Sequence, residues 1–348
     1  MNKELFERSR NKTLVITEGN HEKNKLMKLL LFIFPEIPIK PENIIMYESN
    51  IYALHAAIVK KYGQTWKEQD VDIPKTISQF KSLGQGFEKI NFTNVFLIFD
   101  YERHDPQFSE SIINEMQQYF VDLNDNGLLL INYPMVESYL DIDLENPQLY
   151  ENKTEKANMK KGAEYKARIN EKDLSKILLC QRRLEERLNE RIDDEDLTES
   201  LAINVMKQLG TKPEIQKSIL GILSPYICYE LALSLSYQYA AIIDGLGYDN
   251  QKYDYYYFVR ALLRKVIECN IRKANKLQGG IYDISLEDLK EYYYDHISYV
   301  DILLKQNHDS RNPINGIIWV LNTSILLVAN YKFFWREIDS QSLDKQLN

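Results

Sequence analysis

The run Val95-Phe-Leu-Ile-Phe99 constrains this chain most. Five consecutive apolar residues leave no polar face, so as a strand the segment must be covered on both sides, as in a parallel sheet layered with helices. An acidic residue, Asp100, follows at once. Similar but shorter patterns surround it: Thr13-Leu-Val-Ile-Thr17, Ile44-Ile-Met-Tyr47 and Leu128-Leu-Leu-Ile-Asn-Tyr133 read as three further strands. Between them, Glu22 to Phe34 places Leu26, Leu29, Leu30 and Ile33 at helical spacing, and Ile51 to Tyr62 does the same with Leu54, Ile58 and Val59. Ser109 is placed to cap a helix ending near Phe120. Strands alternating with helices predict an α/β domain, a mostly parallel sheet flanked by helices. Residues 64–88 lack periodicity and read as an insertion.

Strand patterns end near Tyr150. Residues 150–168 are polar and lysine-rich, which predicts a linker or basic loop. Beyond them the periodicity is helical over 172–191, 196–209, 226–243, 253–277, 285–306 and 315–336. The expectation is therefore two domains, α/β over 1–150 and all-helical over 151–348, in a chain of 348 residues long enough for two cores.

Acidic residues recur just past the strands. Glu18 follows the first, Asp100 and Glu102 the third, and Glu137 the fourth. In a parallel sheet these positions share one edge, where sites in such folds form. Carboxylates brought together repel, so a cluster persists with a cation or with raised pKa values. Hard oxygen donors suit Mg²⁺ or Mn²⁺.

The pattern Val-Ile-Thr-Glu18-Gly, then Leu-Ile-Phe-Asp100-Tyr-Glu102, resembles the TOPRIM domain of topoisomerases, primases and related nucleases. Val136-Glu137-Ser-Tyr-Leu140 is similar to a motif of OLD-like nucleases and of related proteins in bacterial anti-phage defence. The resemblance covers about the first 145 residues, and Glu102 stands where the family has a second aspartate. It implies catalytic roles for Glu18, Asp100 and Glu102, and metal ligation by these three with Glu137. The implied reaction is Mg²⁺- or Mn²⁺-dependent cleavage of DNA or of RNA such as tRNA. Glu22 is a weaker candidate, and Gly19 is expected to serve the turn, by positive φ if need be.

Other signals are less specific. Arg260, Arg264, Arg272 and Lys276 recur at multiples of four on one helix, a basic stripe suited to nucleic-acid contacts. Lys160 and Lys161 mark a second such region. The competing interpretation is a solvated helix face. His21 and His104 lie beside the acids. The chain contains no GxxxxGK[ST], so any ATP-dependent step would belong to a partner ATPase. The apolar segment Ile317–Tyr331 is too short for a bilayer and carries Asn322, Thr323, Ser324 and Asn330, so it predicts a buried helix or a homo-oligomer contact. A net charge of −8 argues against a protein coated in phosphate-binding cations. Three scattered cysteines suggest neither zinc nor disulfides, and the charged N-terminus lacks a signal-peptide core, so a cytoplasmic setting is expected. Two functions follow: a metal-dependent nuclease of anti-phage defence, or a non-catalytic or primase-like nucleic-acid-binding protein that kept the fold.

Overall fold

The apolar runs form strands because their β-branched and aliphatic side chains suit a pleated surface, and all but the half-buried run at Ile44 bury on both faces. In the structure, a computed structural model describing residues 13–81, 92–123, 125–143, 145–157, 162–285, 288, 290 and 297–339, they are β1 (Thr13–Thr17), β2 (Ile44–Met46), β3 (Asn94–Asp100) and β5 (Gly127–Asn132). A two-residue strand, β4 (Val121–Asp122), completes a five-stranded sheet of order β2-β1-β3-β5-β4. The pairs β1–β2, β1–β3 and β3–β5 are parallel, and only β4 is antiparallel. The register sets Thr17 beside Ile98 and Asp100 beside Asn132, so the carboxyl ends of β1, β3 and β5 lie side by side. The fold is thus α/β with a mostly parallel sheet, as the sequence predicts.

The chain divides into two compact units, but not at residue 150. The first comprises residues 1–169 and 266–335, the second 170–265 and 336–348. The hydrogen bonds of the late segments explain why the first unit reclaims them. Thr323 Oγ1 donates to Ile131 O (2.9 Å), Asn322 Nδ2 donates to Val136 O (2.6 Å), and Tyr101 OH donates to Asn307 Oδ1 (2.6 Å). All of these polar atoms lie in buried surroundings, where an unmet partner costs about 1–3 kcal/mol.

Three further expectations change. The segment 315–336 is not one helix: it runs as β7 (Ile317–Trp319), a buried 3₁₀ stretch Ser324–Asn330 and a helix Lys332–Asp339. An apolar run cannot distinguish a buried helix from a buried strand, and here pairing with β6 (Thr154–Lys156) decides for strand. The 150–168 region is built rather than a plain linker, with β6 and a helix Gly162–Asn170. The 64–88 insertion begins as core: Trp66 is fully buried, with ring centroids 4.9 Å from Tyr119 and 5.8 Å from His55, and a helix Ile73–Lys81 follows. Residues 82–88 lie outside the described residues.

The second unit is helical, as expected of this stretch. It contains Asp173–Leu178, Cys180–Asn189, Glu195–Met206, Lys212–Leu223, Tyr229–Asp244 and the start of Tyr255–Leu277. Asp194 caps one helix by accepting from Leu197 N (2.9 Å), and Glu214 reaches back to Thr211 N (2.8 Å) at another. Leu184, Leu201, Val205, Ile219, Leu235 and Ile243 form its core.

Candidate acidic site

Glu18 leaves β1 where the backbone turns. Its N–H still donates to Ile98 O (3.0 Å), so the residue is held in register with β3, and its Oε2 accepts from Asp100 N (3.0 Å). The side chain of the first strand end is thereby fixed to the backbone of the third. Gly19 follows, without the positive φ that its type allows. Its N–H donates instead to Glu22 Oε2 (2.9 Å), which draws Glu22 into the turn. Glu22 is buried and opens a π-helical turn, Glu22–Met27, that runs on into the helix Lys28–Ile33. Such turns are rare and are frequent at functional sites.

Asp100 ends β3 in a buried position. Asn132, its neighbour on β5, donates from Nδ2 to Asp100 Oδ1 (3.4 Å). Asn132 cannot present its carbonyl instead, because its Oδ1 accepts from Ser324 N (3.2 Å) and Ser324 Oγ (2.8 Å). Tyr101, wholly buried, anchors the loop through Asn307 and Ser310. Glu102 then takes a left-handed backbone, φ 32°. That conformation costs a residue with a side chain about 1–2 kcal/mol, a strain that concentrates at functional sites. Glu137 lies in the buried 3₁₀ turn Val136–Leu140 after β5.

Electrostatics tie these acids together. Burial pushes the Glu18 carboxyl up to about 8, opposed by the Asp100 N–H and reinforced by Glu102 and Glu22. Asp100 is raised well above the usual range by burial, with Glu22, Glu18 and Glu137 adding to it. Glu22 and Glu102 are raised too, burial again leading. Glu137 differs. Burial works to raise it, but His21 and Lys166 outweigh that and hold it below the usual range. His21 Nδ1 lies 2.7 Å from Glu137 Oε1, in a close contact outside hydrogen-bonding alignment, and Lys166 Nζ lies 3.4 Å from the same oxygen. Neither Glu137 oxygen accepts an aligned hydrogen bond, although the residue is only 4% exposed.

The donor chemistry therefore suits a hard divalent cation: several buried carboxylates gather here, and Glu137 Oε1 already faces the cationic Lys166. Among the described residues, no three His, Cys, Asp or Glu side chains form a group that could hold a metal ion. Mg²⁺ asks for less, since it is commonly bound through one or two carboxylates plus water and substrate phosphate. Asp100 with Glu137, and Glu18 with Glu102, are pairs in which the field of one acid acts on the other.

Two participants were missed at the sequence level or underrated. Lys166 lies in a stretch whose composition predicts a basic loop, and the helix Gly162–Asn170 carries it to Glu137. Asn132 had no motif to mark it; its signal is only its place opposite Asp100. The basic stripe is rearranged. Arg264 is 8% exposed, and Arg260 is half-buried. Arg272 donates to the carbonyls of Ile284 and Tyr282, while Lys276 donates to Glu151 (2.7 Å) and Asn152 (2.8 Å). The four cations do not make one solvated face, because the helix that carries them is buried on most sides. Lys160 and Lys161 lie outside the described residues. His104 is exposed beside Glu102, whose carboxyl it steadies.

Comparison with protein-family models, with curated proteins and with solved structures finds no match to this chain. No helix among the described residues is long and apolar enough to cross a membrane.

Proposed function

We propose that this chain is a divalent-metal-dependent nuclease that hydrolyses nucleic-acid phosphodiesters at the acid cluster on the carboxyl edge of its sheet. One observation carries the proposal: Glu18, Asp100 and Glu137 stand at or just past the carboxyl ends of three adjacent parallel strands, and the fields of Glu18 and Glu137 both act on Asp100. Nothing in the core needs such a cluster. Its mutual repulsion opposes folding unless a cation offsets it.

A bound Mg²⁺ or Mn²⁺ would activate water and neutralise charge on the reacting phosphorus. Glu137, kept ionised, suits a ligand. Glu18, with its carboxyl near neutrality, suits proton transfer to or from the reacting oxygens. Asp100 is oriented for its part by Asn132 and, through it, by Ser324. Two carboxyl groups with pKa values pushed apart divide acid–base and ligand work. The resemblance to OLD-like proteins supports an effector of bacterial anti-phage defence, governed by a partner ATPase, with RNA such as tRNA or DNA as substrate.

The rival is a nucleic-acid-binding protein, non-catalytic or primase-like. The absence of a three-donor group among the described residues speaks for it. Incubating the pure chain with RNA and DNA pools in Mg²⁺, Mn²⁺ or EDTA decides between them. Cleavage that requires metal and disappears in Glu18→Gln and Asp100→Asn supports the nuclease. Binding without cleavage under every condition supports the rival.

A further inference from the structure

We infer that the Lys166 ammonium is the resident counter-ion of the acid cluster, and that a divalent cation binds there by displacing it from Glu137. The inference rests on the reading of the cluster as a cation site.

Three observations converge on Lys166. Its Nζ lies 3.4 Å from Glu137 Oε1, an oxygen of a carboxylate that is only 4% exposed. Its positive field acts on Glu18, Glu22, Asp100, Glu102 and Glu137 alike, so one ammonium serves five acids. Its helix is docked independently of that ammonium. Tyr165 OH donates to Asp141 Oδ2 (3.2 Å), Arg168 pairs with Glu155, and Tyr165 and Ile169 are fully buried. Gly162, at the start of the helix, lies so close to Met135 that an added Cβ would come within 2.8 Å of its Cε.

A divalent ion on Glu137 and an ammonium 3.4 Å from the same carboxylate repel each other. One of them must leave. The helix cannot, because its buried residues hold it. The lysine stem can: the side chain is 34% exposed, and four methylenes allow the ammonium to swing into water while the backbone stays.

The test is calorimetric titration of the full chain with Mn²⁺ at neutral pH, comparing wild type, Lys166→Met, Lys166→Arg and Glu137→Gln. Removing the competing charge should tighten Mn²⁺ binding in Lys166→Met by about tenfold or more. Lys166→Arg should stay within about threefold of wild type, and Glu137→Gln should bind more weakly. Equal or weaker binding in Lys166→Met, with wild type binding, overturns the displacement.

A second measurement needs no metal. In EDTA, Lys166→Met should lower the melting temperature, and adding Glu137→Gln should restore much of the loss. Additive effects in that double-mutant cycle overturn the counter-ion role. Should Lys166→Met fail to fold alone, recovery of folding in the double variant reads the same coupling, and continued failure overturns it. If Mn²⁺ binds to none of the proteins while the cycle shows coupling, the cation reading of the cluster is what fails, and the displacement falls with it.

Discussion

Glu18 permits a stability prediction whose size follows from the site. Its carboxyl stands at about 8 in the fold against an ordinary 4.5, chiefly because burial disfavours the charge. Between those two values the folded protein binds a proton that the unfolded chain has lost. Stability therefore falls as pH rises from about 4.5 to about 8. A shift of this size corresponds to at most about 5 kcal/mol, at roughly 1.4 kcal/mol per unit. Glu22 and Glu102 share the same charge balance, so the titration belongs to the group and not to Glu18 alone. Glu18→Gln removes the charge but keeps an oxygen to accept from Asp100 N. In EDTA at pH 8 it should be more stable than wild type by about 2–4 kcal/mol. Near about pH 3, well below the ordinary 4.5, Glu18 is protonated in both states and the two proteins should agree within about 1 kcal/mol. Urea unfolding at a series of pH values measures the difference directly. If the gap between Glu18→Gln and wild type does not widen as pH rises, burial and the neighbouring acids do not load Glu18 as described.

The other predictions concern what holds the cluster. Asn132→Leu leaves the Ser324 hydroxyl and N–H without their acceptor and should cost about 1–3 kcal/mol by thermal unfolding, with cleavage lost or reduced; unchanged stability would show that Ser324 does not depend on it. Trp66→Ala should cost about 3–5 kcal/mol, since the residue is core rather than insertion, and a loss below about 1 kcal/mol would return it to the surface. Arg264→Glu should destabilise the protein by several kcal/mol, because it sets an acid where a buried guanidinium stood. A fully stable variant that merely loses nucleic-acid binding would restore the exposed-stripe reading.

Strands β1, β3 and β5 were legible because a strand buried on both faces must be largely apolar, and β2 by its short β-branched run. Ser109 as a cap was legible for an equally local reason: its hydroxyl accepts from Ile112 N (3.4 Å), three residues on. The acids were legible as well, since their positions follow from where strands end. Local rules of this kind also placed most helices of the second unit, although Lys212–Leu223 falls outside the helical stretches the pattern predicts.

What the pattern could not carry was every interaction between distant segments. Ser324 orients Asn132, and Asn132 orients Asp100, across some two hundred residues of chain. Lys166 reaches Glu137 from a stretch whose composition reads as linker. The apolar run at 317 becomes a strand only because Thr154–Lys156 lies there to pair with it. Periodicity reports which residues must leave water, whereas the choice of partner depends on chain path and packing, which have no local signature. The amino-acid sequence thus determined the sheet and the ring of acids at its edge, and the tertiary structure decided which amide and which ammonium would stand among them.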